Sequence, residues 1–253
     1  MDRPEHRYGL ITWISLLGSS HAAFRSARGV IAIGFSPVNI YDWLESQEQA
    51  TQVFQDYTVP QAKFALPEVT RRLRFPSDTR HILDIGGGHA MFSIALCKSR
   101  PQLSATVSDT TAALNAGVNN ISQAGLSERI QVKAGNFLSD DLGSGYDAAL
   151  LFTIRHGLTP VQNTDLLRKV TKALNVGGMA IILEQFGTDM WMPMSRAGNN
   201  ILGLSYYHLL GGQVYSYEQV ESWYKAAGYR DIKRFQLRSV PGNSLVMGAF
   251  AGK

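Results

Sequence analysis

An acid two residues ahead of a glycine run, Asp84-Ile85-Gly86-Gly87-Gly88-His89-Ala90, is the most chemically suggestive stretch of the sequence. Glycines there permit positive φ and let a ligand approach the backbone with no Cβ in the way. Asp84 would repel a pyrophosphate but suits a ligand carrying an ammonium group, directly or through water. A dinucleotide site needs Gly-x-Gly-x-x-Gly, and its third glycine would fall at Met91, too bulky for the helix–strand contact made there. A plain tight loop is the other reading of the bend. Farther on stand His156 and Glu184. A histidine titrates near neutrality, and a carboxylate partner fixes its tautomer and raises its basicity.

Positioning these groups requires a sheet. From residue 77 onward, short apolar runs alternate with helical patterns, which implies a mostly parallel sheet with helices on both faces. Strands are expected at 81–85, 104–108, 130–134, 146–152, 179–183, 231–237 and 244–250, seven in all. Gly125 is expected as a left-handed helix end. Thr159-Pro160-Val161-Gln162 and Ser216-Tyr217-Glu218-Gln219 read as capping boxes that start helices, the first stopped by Gly177-Gly178. Residues 1–76 show helical periodicity, interrupted at Pro37, Pro60 and Pro67, and Phe75-Pro76-Ser77-Asp78 is the expected boundary between a helical segment (1–76) and the main domain (77–253).

In that frame Asp84, Gly86 and Gly88 belong to the end of the first strand and its turn, Asp109 to the end of the second, Asn136 and Phe137 to the third, His156 to the fourth and Glu184 to the fifth. Open α/β sheets bind ligands beyond such carboxyl ends, and an acid about 20 residues after the glycine bend can take both ribose hydroxyls. The same Asp109 could also cap the helix beginning near Thr110. Asn136 could accept from an adenine amino group while Phe137 offers its face to the ring. The spacing Asp84-x-Gly86-x-Gly88-x-Ala90 matches the adenosylmethionine loop of class I methyltransferases.

From about Phe35 to Phe250 the chain resembles the small-molecule O-methyltransferases of the caffeate and acetylserotonin type. Asp84-Ile85-Gly86-Gly87-Gly88 parallels that family's Asp-Val-Gly-Gly-Gly, Gly135-Asn136-Phe137 its Gly-Asp-Phe, and Tyr41-Asp42-Trp43-Leu44 with Phe54 the helical segment walling the acceptor pocket. The resemblance implies a Rossmann-like doubly wound fold, S-adenosyl-L-methionine as cofactor, His156 as general base and Glu184 as the carboxylate orienting it. It also implies a small aromatic hydroxyl, natural-product-like, as acceptor. Phe54, Tyr57, Trp191, Tyr207 and His208 are expected to line its pocket, with Phe35, Met192, Met194 and Tyr206 as further candidates. Gly157 departs from the family's acid after the histidine, and Val214 stands where a second carboxylate usually follows the later Gly211-Gly212. The family's N-terminal dimerisation domain is represented by a remnant only, and a homodimer is the assembly the resemblance implies. N- or C-methylation, a non-methylating reaction in the same pocket, and a silent adenosylmethionine-binding protein remain open alternatives.

Composition narrows the field. The 253 residues are 45% hydrophobic and 17% charged, with a net charge of +4 and one cysteine, Cys97. That excludes a disordered chain and a disulfide scaffold. The basic residues are dispersed, apart from Arg71, Arg72 and Arg74, so nucleic acid is not an expected partner, and no metal is implied. No apolar run reaches the roughly 20 residues that span a bilayer. Tyr8–Gly18 after Arg3 and Arg7 outlines a signal peptide, but Asp2, Glu5, Thr12, Trp13 and Ser15 favour an amphipathic helix in a cytoplasmic protein.

Overall fold

A seven-stranded sheet organises the described part of the chain. The computed structural model describes residues 41, 44, 47–187, 203–204, 206–207 and 210–252. The chain divides into two compact units, Met1–Asn39 and Ile40–Lys253, and all described residues fall in the second. The Tyr8–Gly18 stretch, Phe35, Pro37, Trp191, Met192, Met194 and His208 lie outside the described residues.

Helix α1 (Glu48–Arg72) leads into β1 (His81–Ile85), α2 (Met91–Ser99), β2 (Ser104–Asp109), α3 (Thr111–Gln123), β3 (Ile130–Ala134) and β4 (Tyr146–Phe152). A short 3₁₀ turn (Arg155–Gly157) precedes α4 (Pro160–Ala173), β5 (Leu174–Gln185), α5 (Tyr217–Ala226), β6 (Tyr229–Gln236) and β7 (Asn243–Phe250). The strand order is β3-β2-β1-β4-β5-β7-β6. β1 to β5 pair in parallel, whereas β7 runs antiparallel between β5 and β6. The order reverses between β1 and β4, which opens a crevice beyond their carboxyl ends.

Burial explains why these strands sit centrally. β4 alternates Ala148, Leu150 and Phe152 into one core with Ala149 and Leu151 into the other. Strands covered on both faces need such near-continuous apolar runs, and each buried leucine contributes about 2–3 kcal/mol. Ala62, Ala65, Val69 and Leu73 of α1 and its C-terminal end join Phe92, Leu96, Leu114 and Ile121 of α2 and α3 over one face. On the other face lie Leu166, Leu167 and Val170 of α4 with Val220, Trp223 and Tyr224 of α5. β3 and β6 form the edges, and their exposed Gln131, Arg230 and Lys233 suit positions that must not recruit another strand.

Both capping boxes form as expected, Thr159 with Gln162 and Ser216 with Gln219, each worth about 1 kcal/mol. Gly125 adopts φ +69° just past α3. Two expectations are corrected. Pro60 and Pro67 do not break the first helix but sit inside the continuous α1; spaced seven apart, they fall on one exposed face, where the carbonyls they deprive of partners can meet water. Phe75–Asp78 connects α1 to β1, and α1 shares a core with α2 and α3. Gly177-Gly178 does not stop α4. The helix ends because Leu174 turns extended (ψ 144°), and the two glycines lie within β5, beside an irregularity in its pairing with β4.

Glu68 ties α1 to the β6–β7 connection. Its carboxylate accepts from the Arg238 and Ser239 N–H groups (2.9 and 2.8 Å), from the Ser239 hydroxyl (2.8 Å) and from Arg72 Nε (2.8 Å). Desolvation pushes this carboxyl up, but the bonds from Ser239, Arg72 and Arg238 outweigh it and pull it down to about 2.

Candidate active site

β1 delivers the chain into a bend whose Gly86, Gly88 and Ala90 all have positive φ (68°, 29° and 60°). The Gly86 N–H bonds the Ser108 carbonyl at 2.7 Å, which pins the bend to the end of β2. Asp109 closes β2. Its Oδ2 accepts the Gly88 N–H at 2.9 Å and its Oδ1 the Thr110 N–H at 2.8 Å. On the other side Gly117 of α3 packs on the Gly88 carbonyl so tightly that a Cβ would collide with it, and Asn120 Nδ2 holds the His89 carbonyl at 2.9 Å. His89 Nδ1 accepts the Met91 N–H at 3.2 Å, and burial lowers its imidazole to about 4.

The expected cofactor residues occupy distinct places. Asp84 is 2% exposed and lies beneath the bend, where the Ser93 hydroxyl donates to it at 2.6 Å and Gly87 packs against it. Burial, opposed by Ser93 and helped by the neighbouring Asp109 charge, raises its carboxyl to about 7. Asp84 is thus tied to α2 through Ser93 beneath the bend. Asn136 lies just beyond β3 and is exposed, its Oδ1 accepting the Leu138 N–H at 2.9 Å, with half-buried Phe137 beside it. Gly86, Gly88, Asp109 and Asn136 thus succeed one another along the carboxyl ends of β1, β2 and β3.

The second half of the site grows from β4 and β5. Phe152 and Leu183 are partners in that pairing, so the two strands release their next residues side by side. His156 is buried, and its Nδ1 lies 3.1 Å from both Glu184 oxygens. The His156 backbone N–H also points to Glu184 Oε2 at 3.3 Å, and the Gln185 N–H to Oε1 at 3.0 Å. Burial would raise the Glu184 carboxyl, but the charge and hydrogen bonds of His156, the Arg155 charge and the Gln185 N–H together hold it below the usual carboxylate range. A carboxylate facing Nδ1 favours the tautomer with its proton on that nitrogen, and Nε2 is the nitrogen directed away from Glu184.

Phenols gather around Nε2. The Tyr41 hydroxyl lies 3.4 Å away, and the Tyr206 ring stacks on the imidazole at 4.1 Å between centroids. Phe54 meets the Tyr41 ring edge-on at 6.1 Å. Burial first, then the Glu184 charge, raises the Tyr41 and Tyr206 phenols well above the ordinary tyrosine value, and Tyr206 also feels Tyr57. Tyr207 is 54% exposed, and Trp191 and His208 fall outside the described residues. Gly157 lets the Tyr41 ring close in, and Gly212 backs directly onto the His156 carbonyl, with no room for a Cβ. Val214, half-buried, contacts Gly187 and Gly203.

Two features were not singled out in the sequence. Arg155 is 1% exposed, and among the described residues its three guanidinium nitrogens have no hydrogen-bond partner. It sits among the rings of Trp223, Phe186 and Tyr215 at 5.0, 5.8 and 5.8 Å, and burial lowers it to about 10. Gln55 of α1, also buried, lies over Gly88. Neither stands next to a recognisable pattern; an arginine immediately before His156 was the available signal for the first.

The chain is 31% identical over 228 residues to the L-tyrosine C(3)-methyltransferase of Streptomyces lavendulae, covering 90% of this chain and 60% of that protein. It is 32% identical over 176 residues to the 3-hydroxy-5-methyl-1-naphthoate 3-O-methyltransferase of Streptomyces sahachiroi, covering 69% of this chain and 50% of that protein. The chain therefore spans between half and three-fifths of the length of these relatives. The apo crystal structure of the S-adenosylmethionine-dependent methyltransferase SibL superposes with a TM-score of 0.68 at 27% identity, over 78% of this chain and 58% of that one. Residues 18–230 match the model of the O-methyltransferase domain, and with its reversed-order sheet, glycine bend and His156–Glu184 pair, the chain belongs to that family.

Proposed function

We propose that the protein is a methyltransferase that uses S-adenosyl-L-methionine to methylate the hydroxyl of a small aromatic, natural-product-like acceptor, with His156 as general base. One observation carries the proposal: His156 is held by Glu184 on one ring nitrogen and presents the other to a phenolic hydroxyl, that of Tyr41.

The crevice suits the cofactor. Asp109 ends β2 beside the bend, Gly88 has no Cβ where one would run into Gln55, and among the described residues the buried Gln55 Oε1 has no hydrogen-bond partner. Asp109 would hold the ribose, Asn136 and Phe137 the adenine, and Gly86 and Gly88 the amino-acid portion. When bound, the cofactor supplies an electrophilic methyl group and leaves as adenosylhomocysteine. His156 Nε2 takes the acceptor proton, Glu184 stabilises the resulting imidazolium, and the acceptor oxygen forms the new bond to carbon. Alignment of nucleophile and methyl accounts for about 7–11 kcal/mol of the barrier. Deprotonation adds roughly 10²–10⁴-fold.

A second reading shares the base. A phenolate is nucleophilic at the ring carbon beside its oxygen as well as at oxygen, and the Streptomyces lavendulae relative is named for methylation at tyrosine C3. Mass spectrometry of reactions with hydroxylated aromatics, together with NMR of the products, separates the two. A methoxy product lost in His156→Ala supports O-methylation, and a ring methyl supports C-methylation. An unaltered rate in His156→Ala would overturn the role of the base in both.

A further inference from the structure

The helix that carries Phe54 and Tyr57 also reaches the other half of the site. Gln55 is 6% exposed, and among the described residues its Oε1 has no hydrogen-bond partner. A buried amide oxygen left unpaired is costly, and such groups in folded proteins call for an explanation. The whole carboxamide lies over the glycine bend. A Cβ built on Gly88 would stand 2.9 Å from both Gln55 Oε1 and Nε2 and 3.3 Å from Asp109 Oδ2. The glutamine carboxamide and the Asp109 carboxylate therefore both lie close beside Gly88. What the Gln55 oxygen lacks is a hydrogen-bond donor.

We propose that Gln55 is a cofactor-binding residue whose carboxamide oxygen accepts from a ribose hydroxyl held jointly with Asp109, so that α1 closes over the nucleoside as well as over the acceptor. The inference rests on the assignment of this crevice to an adenosylmethionine-type ligand. It adds a contact from outside the sheet. Phe54 and Tyr57 flank Gln55 closely on the helix, so the ligand that engages Gln55 also fixes the wall of the acceptor pocket.

Titration calorimetry with adenosylhomocysteine and thermal melts of the protein with and without it test the assignment. In Gln55→Leu, adenosylhomocysteine should bind roughly 10–100-fold more weakly, while the ligand-free melting temperature holds or rises, since a leucine leaves no orphaned oxygen. Gln55→Glu, which keeps an acceptor at the same reach, should bind more tightly than Gln55→Leu. Unchanged affinity in Gln55→Leu would overturn the proposal, as would a ligand-free melting temperature that falls in step with affinity, the mark of a merely structural residue. Asp109→Ala separates the two levels of inference. If the wild type binds adenosylhomocysteine and Asp109→Ala does not, the crevice assignment stands whatever Gln55 does. If the wild type fails to bind it, the crevice assignment falls first.

Discussion

His156 and Glu184, 28 residues apart in sequence, meet through three contacts: both carboxylate oxygens lie 3.1 Å from Nδ1, and one also lies 3.3 Å from the histidine's backbone N–H. The carboxylate thus fixes both the ring and the backbone that carries it. In Glu184→Gln the side chain keeps its shape but loses its charge, and the ring loses an anion to stabilise its protonated form. We expect turnover to fall by about 10–100-fold and His156→Ala to lower it by roughly 10²–10⁴-fold, with adenosylhomocysteine affinity within about threefold of wild type in both. Steady-state kinetics beside calorimetry checks this; a loss of affinity equal to the loss of rate would contradict it.

Gly117 and Gly212 press on opposite halves of the site, one against the Gly88 carbonyl and the other against the His156 carbonyl. Glycine to alanine inside a helix normally stabilises by roughly 0.5–1 kcal/mol. Gly117→Ala should do the reverse, lowering the melting temperature and weakening adenosylhomocysteine binding, because backbone must move. Gly212→Ala should leave that binding intact and reduce turnover, since the displaced segment carries His156, the proposed base.

Asp84 gives stability a pH dependence of unusual sign. Its carboxyl titrates near 7 in the folded protein, raised chiefly by burial, against about 4 when unfolded. The folded state therefore holds a proton that the unfolded state releases, and this contribution weakens as pH rises from about 4 to 7. The full difference is on the order of 4 kcal/mol. Urea denaturation of the ligand-free protein at pH 5 and pH 8.5 should show the decline, and Asp84→Asn should flatten it.

Glu68 works in the opposite direction. Its folded carboxyl is pulled down to about 2 by the bonds from Ser239, Arg72 and Arg238, which outweigh desolvation. Its contribution is complete above the ordinary carboxylate range and disappears as pH falls from about 4.5 towards 2. Glu68→Ala should cost roughly 2–4 kcal/mol at neutral pH, because it strands two backbone N–H groups and a hydroxyl, and the variant should lose less than wild type on acidification. Denaturation midpoints at pH 7 and pH 3 measure both effects.

Features set by neighbours a few residues apart were legible in the sequence. The capping boxes at Thr159 and Ser216, the apolar runs of β1 and β4 and the turn at Gly125 all depend on local chemistry. So was the order in which Gly86, Asp109 and Asn136 come at the ends of successive strands, because parallel topology converts sequence order into spatial order. What escaped depends on distant packing. Pro60 and Pro67 forbid a helix by local rules, yet the face of α1 made by Ala62, Ala65 and Val69 is buried and carries the helix through. The spacing of Asp84 was in the sequence, but its burial and its bond from Ser93 of α2 are set by packing. Gln55 and Arg155 matter because of their surroundings, and no interval in the sequence encodes an aromatic cage or an empty acceptor.

α1 is anchored at one end and loaded at the other. Glu68 bolts its final turns to Arg238 and Ser239, while about four turns earlier the same rod bears Gln55 and Phe54 above the reacting groups. A rigid lever of this kind transmits small tilts. Substitutions in the β6–β7 connection are therefore a means of re-aiming the proposed acceptor wall, and selection for new acceptors can act there without touching the His156–Glu184 pair.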